Sequence, residues 1–265
     1  RQILATADKG MPVVLVGAGF IGSIVLEALY ARGCNLTVVE IAPRMVARMM
    51  DETAGGMLGR WCRAKGVDVR TGTRVMSIAR GSGTGGSRLS VKLSDGSAIP
   101  ARLVVLAAGV RSNTGYLVGS GVAVGQGVKV DQYLRTTALN MAGRPYAHRG
   151  SLNMNVLDTM GLISSSFGLW QGATGGETAR LVDEDKYKYM KLEFLGDRLI
   201  GAQCVGMTDH VGMLRGLIQT GFRLGHWRDK LRAAPERLRE AYVAVAQGLP
   251  TGGASAPHVN TPRAA

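Results

Sequence analysis

Gly17-Ala18-Gly19-Phe20-Ile21-Gly22 sets glycines at the first, third and sixth places of a short run. An acidic residue, Glu40, follows about twenty residues later. This spacing suits a backbone that must turn tightly and then approach a charged diphosphate. Gly17 permits the turn, Gly19 removes a side chain so that a pyrophosphate can come close, and Gly22 lets a helix pack tightly on a strand. A helix opening there presents unpaired N–H groups and the positive end of its dipole to an anion. Glu40 is placed to accept hydrogen bonds from both hydroxyls of an adenosine ribose and to repel a 2′-phosphate, which favours NADH over NADPH. Arg44 and Arg48 temper that preference, because an arginine nearby can accommodate the extra phosphate. The plain alternative is a glycine turn in an α/β protein that binds nothing.

The rest of the chain offers little competing chemistry. Cys34, Cys62 and Cys204 lie far apart, with no CxxC and no ligand spacing, which predicts buried structural thiols and no metal site. His210 and His226 flank an apolar stretch without an interpretable partner, so the catalytic residues stay unknown. Asp183-Glu184-Asp185 reads as a solvated acidic turn, and Trp170 and Trp227 suit either a core or a subunit interface. Tyr187 and Lys191 have the Tyr-x-x-x-Lys spacing of a dehydrogenase proton relay, but their segment reads as a strand.

The elements that must position the glycine run are legible around it. Val13 to Val16 is apolar without alternation, as a strand covered on both faces is. Ile24 to Leu29 suits a crossover helix ending near Gly33, and Leu36 to Glu40 forms a second strand. The unit is a right-handed βαβ with the glycine turn at the carboxyl edge of parallel strands. Asp51 to Lys65 is an amphipathic helix that Asp51 could cap, and Val67 to Arg70 returns as a strand. An antiparallel meander follows, Arg74–Ala79, Arg88–Leu93 and Ser97–Ile99, and then an apolar strand over Leu103–Leu106. After Tyr116 the pattern weakens, with Val128 to Asp131 as another expected strand and a Gly/Ser-rich stretch over Gly161 to Gly176 to which no element is assigned. Tyr189–Phe194 and Leu199–Val205 form a hairpin across Gly196-Asp197, and helices follow over Val211–Phe222 and Pro235–Ala246.

The expected fold is α/β, a Rossmann-type parallel sheet with an antiparallel three-strand meander, followed by a smaller α+β interface domain. The expected divisions are a dinucleotide-binding domain over 1–116, a return segment over 117–146, an interface domain over 147–247 and a disordered tail over 248–265. Composition agrees with a packed chain, at 46% hydrophobic and 19% charged residues. The formal charge of +13 is spread along the chain, and its longest basic stretch, Arg223 to Arg239, also carries Asp229 and Glu236. Such diffuse charge argues against nucleic-acid binding and is compatible with an anionic dinucleotide. Val13 to Ala31 is broken by Glu27 and by glycines, so no membrane span is expected, and the absence of a signal-peptide pattern predicts a cytoplasmic protein.

Taken together, the fingerprint, Glu40, the meander and Leu103-Val104-Val105-Leu106-Ala107-Ala108-Gly109-Val110-Arg111-Ser112-Asn113 resemble the NADH domain of the FAD-dependent pyridine nucleotide-disulfide oxidoreductases. Tyr189 to Tyr242 is similar to that family's carboxyl-terminal interface domain, and the pattern is nearest to the nitrite reductase, NADH oxidase and rubredoxin reductase types. The resemblance implies NADH as donor, with Gly17, Ala18, Gly19, Phe20, Ile21, Gly22, Glu40, Ala108 and Gly109 around it. It also implies FAD as relay, an electron-acceptor protein as partner, and a homodimer formed through the C-terminal domain. The sequence departs from the family pattern where FAD would be held. Only Arg1 to Met11 precede the first strand, Thr136-Thr137 runs into Ala138-Leu139-Asn140-Met141-Ala142-Gly143 without an Ala-Gly-Asp segment, and Ile24 stands where many members have glutamate. The FAD-binding pieces are thus expected outside the sequence given.

Three functions follow as expectations. The first is the NADH-binding portion of a flavin-dependent oxidoreductase. The second is a non-enzymatic NADH-binding subunit or sensor, which a co-purifying flavoprotein would mark. The third is a dehydrogenase using NADH directly through Tyr187 and Lys191.

Overall fold

A computed structural model describes residues 3, 6–81, 88–129, 143, 151–209 and 211–248. The described residues fall into two compact units, one drawn from Arg1–Ala108 and Leu152–Ala256, the other from Gly109–Ser151. His210, residues 82–87, the second half of the expected 128–131 strand and everything from 249 onward lie outside the described residues.

In the first unit, strands β1 (Pro12–Val16), β2 (Asn35–Val39), β3 (Asp68–Arg70) and β7 (Leu103–Leu106) form a parallel sheet in the order β3-β2-β1-β7. Helices α1 (Phe20–Ala31) and α2 (Glu52–Ala64) connect its strands. The unalternating run of β1 has a direct cause. Val13 and Leu15 enter a core with Leu26 and Leu29 of α1, whereas Val14 enters a second cluster with Val91, Leu93, Ile99 and Ala101. That second cluster belongs to the meander β4 (Val75–Arg80), β5 (Leu89–Leu93) and β6 (Ala98–Ala101). Both faces of β1 are therefore covered, as its composition requires. At the β5–β6 turn, Asp95 accepts from the Ser97 amide and hydroxyl, which lowers its carboxyl below the usual range. Asp51 caps α2 as its position predicts, accepting from the Ala54 amide at 3.0 Å.

A five-stranded antiparallel sheet follows, ordered β10-β11-β12-β9-β8, from β8 (Met154–Thr159), β9 (Leu162–Gly168), β10 (Glu177–Asp183), β11 (Lys188–Leu195) and β12 (Arg198–Val205). Helices α3 (Val211–Thr220), α4 (Trp227–Ala233) and α5 (Leu238–Ala246) complete the unit. Two features depart from the sequence reading here. The 161–176 stretch contains β9, because Ser164, Ser165 and Ser166 are buried strand residues and not loop. Serine reads as loop by composition, but Ser164 satisfies its hydroxyl by donating to the Leu157 carbonyl. The 235–246 helix begins as a 3-10 turn over Pro235–Arg237, and α4, unforeseen, precedes it. Trp227 sits at its start, with Lys230 4.4 Å above the ring.

Apolar residues alternate with Lys191 and Glu193 along β11, yet both of its faces are buried. Met190, Leu192 and Phe194 pack with Leu214, Leu217 and Leu238 of the helices. Tyr189, Lys191 and Glu193 point the other way, and Tyr189 joins the core that contains α2. Lys191 Nζ lies 2.7 Å from Glu193 and 3.1 Å from the Trp170 carbonyl, and Thr178 donates to the other Glu193 oxygen. This ion pair survives burial because almost every charge on it has a partner. Glu193→Ala should accordingly cost about 3 kcal/mol, since it takes the near carboxylate from a buried ammonium and leaves it the Trp170 carbonyl and Asp51 at 3.9 Å. Urea unfolding followed by circular dichroism measures it, and a loss under about 1 kcal/mol would contradict the arrangement.

Candidate functional site

The glycine run turns at the carboxyl end of β1, pinned by its neighbours: the Gly17 amide donates to the Val39 carbonyl of β2, and the Ala107 amide donates to Val16. Each glycine answers a different demand. Gly17 has φ +102°, and a Cβ there would stand 2.5 Å from the Ala107 oxygen. A Cβ on Gly22 would lie 2.0 Å from the Gly17 oxygen, so the first turn of α1 rests directly on the loop. Gly19 is the exception, because its Cβ would meet nothing within 4 Å. Among the described residues nothing requires glycine at 19; the open space beside it does, if another molecule is to reach the backbone.

That space adjoins the start of α1. Gly19 is the N-cap residue and offers no side chain to the first-turn amides, and no acidic residue occupies that turn. The unpaired N–H groups and the positive dipole end are thus left for an external acceptor. Phe20, Ile21 and Ile24 of α1 are exposed, as is Leu106 at the end of β7, so apolar side chains accompany the polar helix end.

Glu40 follows β2 and is half-buried. One of its oxygens accepts from the Ala18 amide at 2.6 Å and the other from the Ala42 amide at 2.8 Å. The carboxylate is therefore an anchor of the glycine turn, a role no spacing argument suggests. A carboxylate has about four acceptor positions, so this anchoring leaves about two for ribose hydroxyls. Arg44 is less available than its position implies, since its guanidinium donates to the Met50 and Ala47 carbonyls, while Arg48 is exposed. Ala108 is exposed just beyond β7, and Gly109, in the second unit, has φ +103°.

The remaining sequence candidates do not form a reactive centre. The three cysteines are free and buried, and burial pushes the Cys62 and Cys204 thiols up to about 12, far from a nucleophilic thiolate. Tyr187 sits in a turn at φ +52° with its ring edge-on to Trp61, while Lys191 is spent on Glu193 within β11. The Tyr-x-x-x-Lys spacing therefore lies on no helix face. Among the described residues, no three His, Cys, Asp or Glu side chains gather as metal ligands, and no helix is long and apolar enough to cross a membrane. A groove of about 740 Å³ is lined by Pro12, Asn35, Lys65 and Pro100 at the amino ends of β1 and β2. Open parallel sheets bind ligands outside the carboxyl ends of their strands, so the glycine turn, not this groove, is the candidate site.

Known proteins are similar to this chain in sequence and fold. Residues 1–141 match the family model described as pyridine nucleotide-disulphide oxidoreductase. The chain is 28% identical over 231 residues to the NADH-dependent phenylglyoxylate dehydrogenase subunit epsilon of Aromatoleum evansii, covering 73% of this chain and 54% of that one. It is 31% identical over 135 residues to the ferredoxin--NAD(+) reductase component of the p-cumate 2,3-dioxygenase system of Pseudomonas putida, covering 51% and 32% respectively. The chain thus spans about half the length of the first relative and about a third of the second. Its fold is that of the reductase in the covalent putidaredoxin reductase–putidaredoxin complex, with a TM-score of 0.76 at 17% identity over 92% of this chain and 66% of that one. With the family model matched over more than half its residues, the chain belongs to the pyridine nucleotide-disulphide oxidoreductases.

Proposed function

We propose that the turn Gly17-Ala18-Gly19-Phe20-Ile21-Gly22 and Glu40 bind NADH, and that the chain is the NADH-binding portion of a flavin-dependent oxidoreductase. The observation that carries this is the open space at Gly19, beside an α1 N-terminus without a side-chain cap and a Glu40 carboxylate fixed to the Ala18 amide. The α1 amides take the pyrophosphate, and the free acceptor positions of Glu40 take the adenosine ribose. Phe20, Ile21, Ile24 and Leu106 present an apolar border that keeps water from the nicotinamide end. Ala108, two residues beyond the end of β7, and Gly109 keep the role that the family resemblance gives them.

FAD, when bound, supplies the relay that accepts hydride from NADH. Where the family resemblance calls for an Ala-Gly-Asp segment to hold the flavin, this sequence runs from Thr136-Thr137 into Ala138, and residues 130–142 lie outside the described residues. A relative named as a ferredoxin reductase component supports an electron-acceptor protein as partner. The homodimer through the C-terminal domain stays part of the proposal. A second reading, an NADH-binding subunit of a larger enzyme, is favoured by the relative named as a dehydrogenase subunit. The two separate in one experiment: the visible spectrum of the purified chain with FAD, before and after NADH without oxygen. Bleaching of the flavin band supports the oxidoreductase. An unchanged band together with altered NADH fluorescence leaves the subunit, and neither signal overturns both.

The ribose assignment has its own test. Glu40→Arg removes an acceptor, releases the Ala18 amide and adds a phosphate partner. It should weaken NADH binding about tenfold or more and improve NADPH relative to NADH. Fluorescence titration with each nucleotide reads both constants, and unchanged affinity for both would contradict the site.

A further inference from the structure

Between Glu40 and α2 the chain makes a turn that ought not to hold by itself. Val46, a β-branched residue, is buried at φ +47°, in the left-handed region that such side chains avoid. Its amide donates to the Ala18 carbonyl at 2.8 Å, and its carbonyl accepts from the Met49 and Met50 amides at 2.9 and 3.0 Å. The strained residue thus supports the glycine turn directly, and Ala18 in turn donates to Glu40.

What holds Val46 there comes partly from the far end of the sequence. Gln203, wholly buried on β12 opposite Lys191, donates from Nε2 to the Met49 carbonyl at 2.9 Å and accepts from the Asp51 amide at 3.4 Å. Tyr189, on the same sheet face, donates to the Asp51 carboxylate at 2.5 Å. From the near side, Arg44 Nε donates to the Met50 carbonyl at 2.9 Å. A single amide side chain therefore grips both ends of the 49–51 segment, and a continuous series of hydrogen bonds runs from the antiparallel sheet through Met49, Val46 and Ala18 to Glu40.

We infer that Gln203 is a positioning residue for the dinucleotide site: from the C-terminal sheet it clamps the strained Val46 turn on which the glycine turn rests. The inference depends on the NADH reading above. Without the clamp, Val46 relaxes toward negative φ, its amide leaves the Ala18 carbonyl, and the turn and Glu40 lose their register. The antiparallel sheet would then set cofactor affinity from a distance, without touching the ligand.

The test is NADH affinity by fluorescence titration of the full chain, alongside thermal melts, for Gln203→Met, Arg44→Met, Val46→Gly and the double variant Val46→Gly/Gln203→Met. Gln203→Met should weaken NADH about tenfold, and Arg44→Met should weaken it by a smaller factor in the same direction. Glycine accepts the left-handed conformation without strain, so Val46→Gly alone should keep near wild-type affinity and should restore most of it in the double variant. The melting temperature should not be restored, because the buried valine and both Gln203 bonds are gone, so affinity and stability move apart. A Gln203→Met protein that melts lower but binds NADH as the wild type does would overturn the positioning role and leave only a structural one. Should Gln203→Met not fold, unchanged affinity in Arg44→Met would overturn the role equally. A wild-type chain that does not bind NADH would instead overturn the dinucleotide reading itself, and this inference with it.

Discussion

Gly22→Ala is expected to cost about 3 kcal/mol or more of stability, among the largest effects of any single methyl group in this chain. The added Cβ would stand 2.0 Å from the Gly17 oxygen, a backbone atom that moves only if the whole turn moves. That turn is itself fixed, because Gly17 bonds to Val39 and its own missing Cβ faces the Ala107 oxygen at 2.5 Å. The clash is relieved by pushing α1 away from the sheet, which opens the core around Leu15, Leu26 and Leu29. Denaturant unfolding gives the number. Stability within about 0.5 kcal/mol of wild type would show that α1 does not rest on the loop.

Gly19→Val is the complementary case, large in binding and small in stability. Gly19 has φ −75° in extended backbone, which valine adopts readily, and its Cβ would meet no atom of the described residues within 4 Å. The loss of stability should stay within about 1 kcal/mol, the scale of a poorer N-cap. NADH affinity should fall about a hundredfold or more, because the isopropyl group fills the space through which a pyrophosphate reaches the α1 amides. Two glycines of one motif thus answer to different forces, one to the fold and one to the ligand. A Gly19→Val chain that keeps NADH affinity would remove the ligand as the reason for glycine at that position.

The parts of this molecule legible in the sequence are those where local pattern and tertiary context agree. The β1–α1–β2 unit could be read because glycine spacing, an unalternating apolar run and a terminal acid all require the same parallel crossover. Asp51 is readable as a cap because its side chain serves its own helix. The family resemblance rests on these same residues and holds over 1–141. What escapes is decided by distant neighbours. Ser164 to Ser166 look like loop residues until the strands on either side supply their surroundings. Lys191 and Glu193 look like a solvent face, and only the packing of β11 against a second core makes them a buried pair. Glu40 is readable as an acceptor but not as the anchor of Ala18, and valine at 46 gives no warning of a left-handed backbone.

Whether the turn from Gly17 to Gly22 binds NADH is decided by titrating the purified chain with NADH and following nicotinamide fluorescence, with ADP-ribose as competitor. Saturable binding with a Kd between about 1 μM and 1 mM, displaced by ADP-ribose, is the predicted result. Fluorescence that shows no saturable change up to millimolar NADH, or binding that ADP-ribose leaves in place, would contradict it.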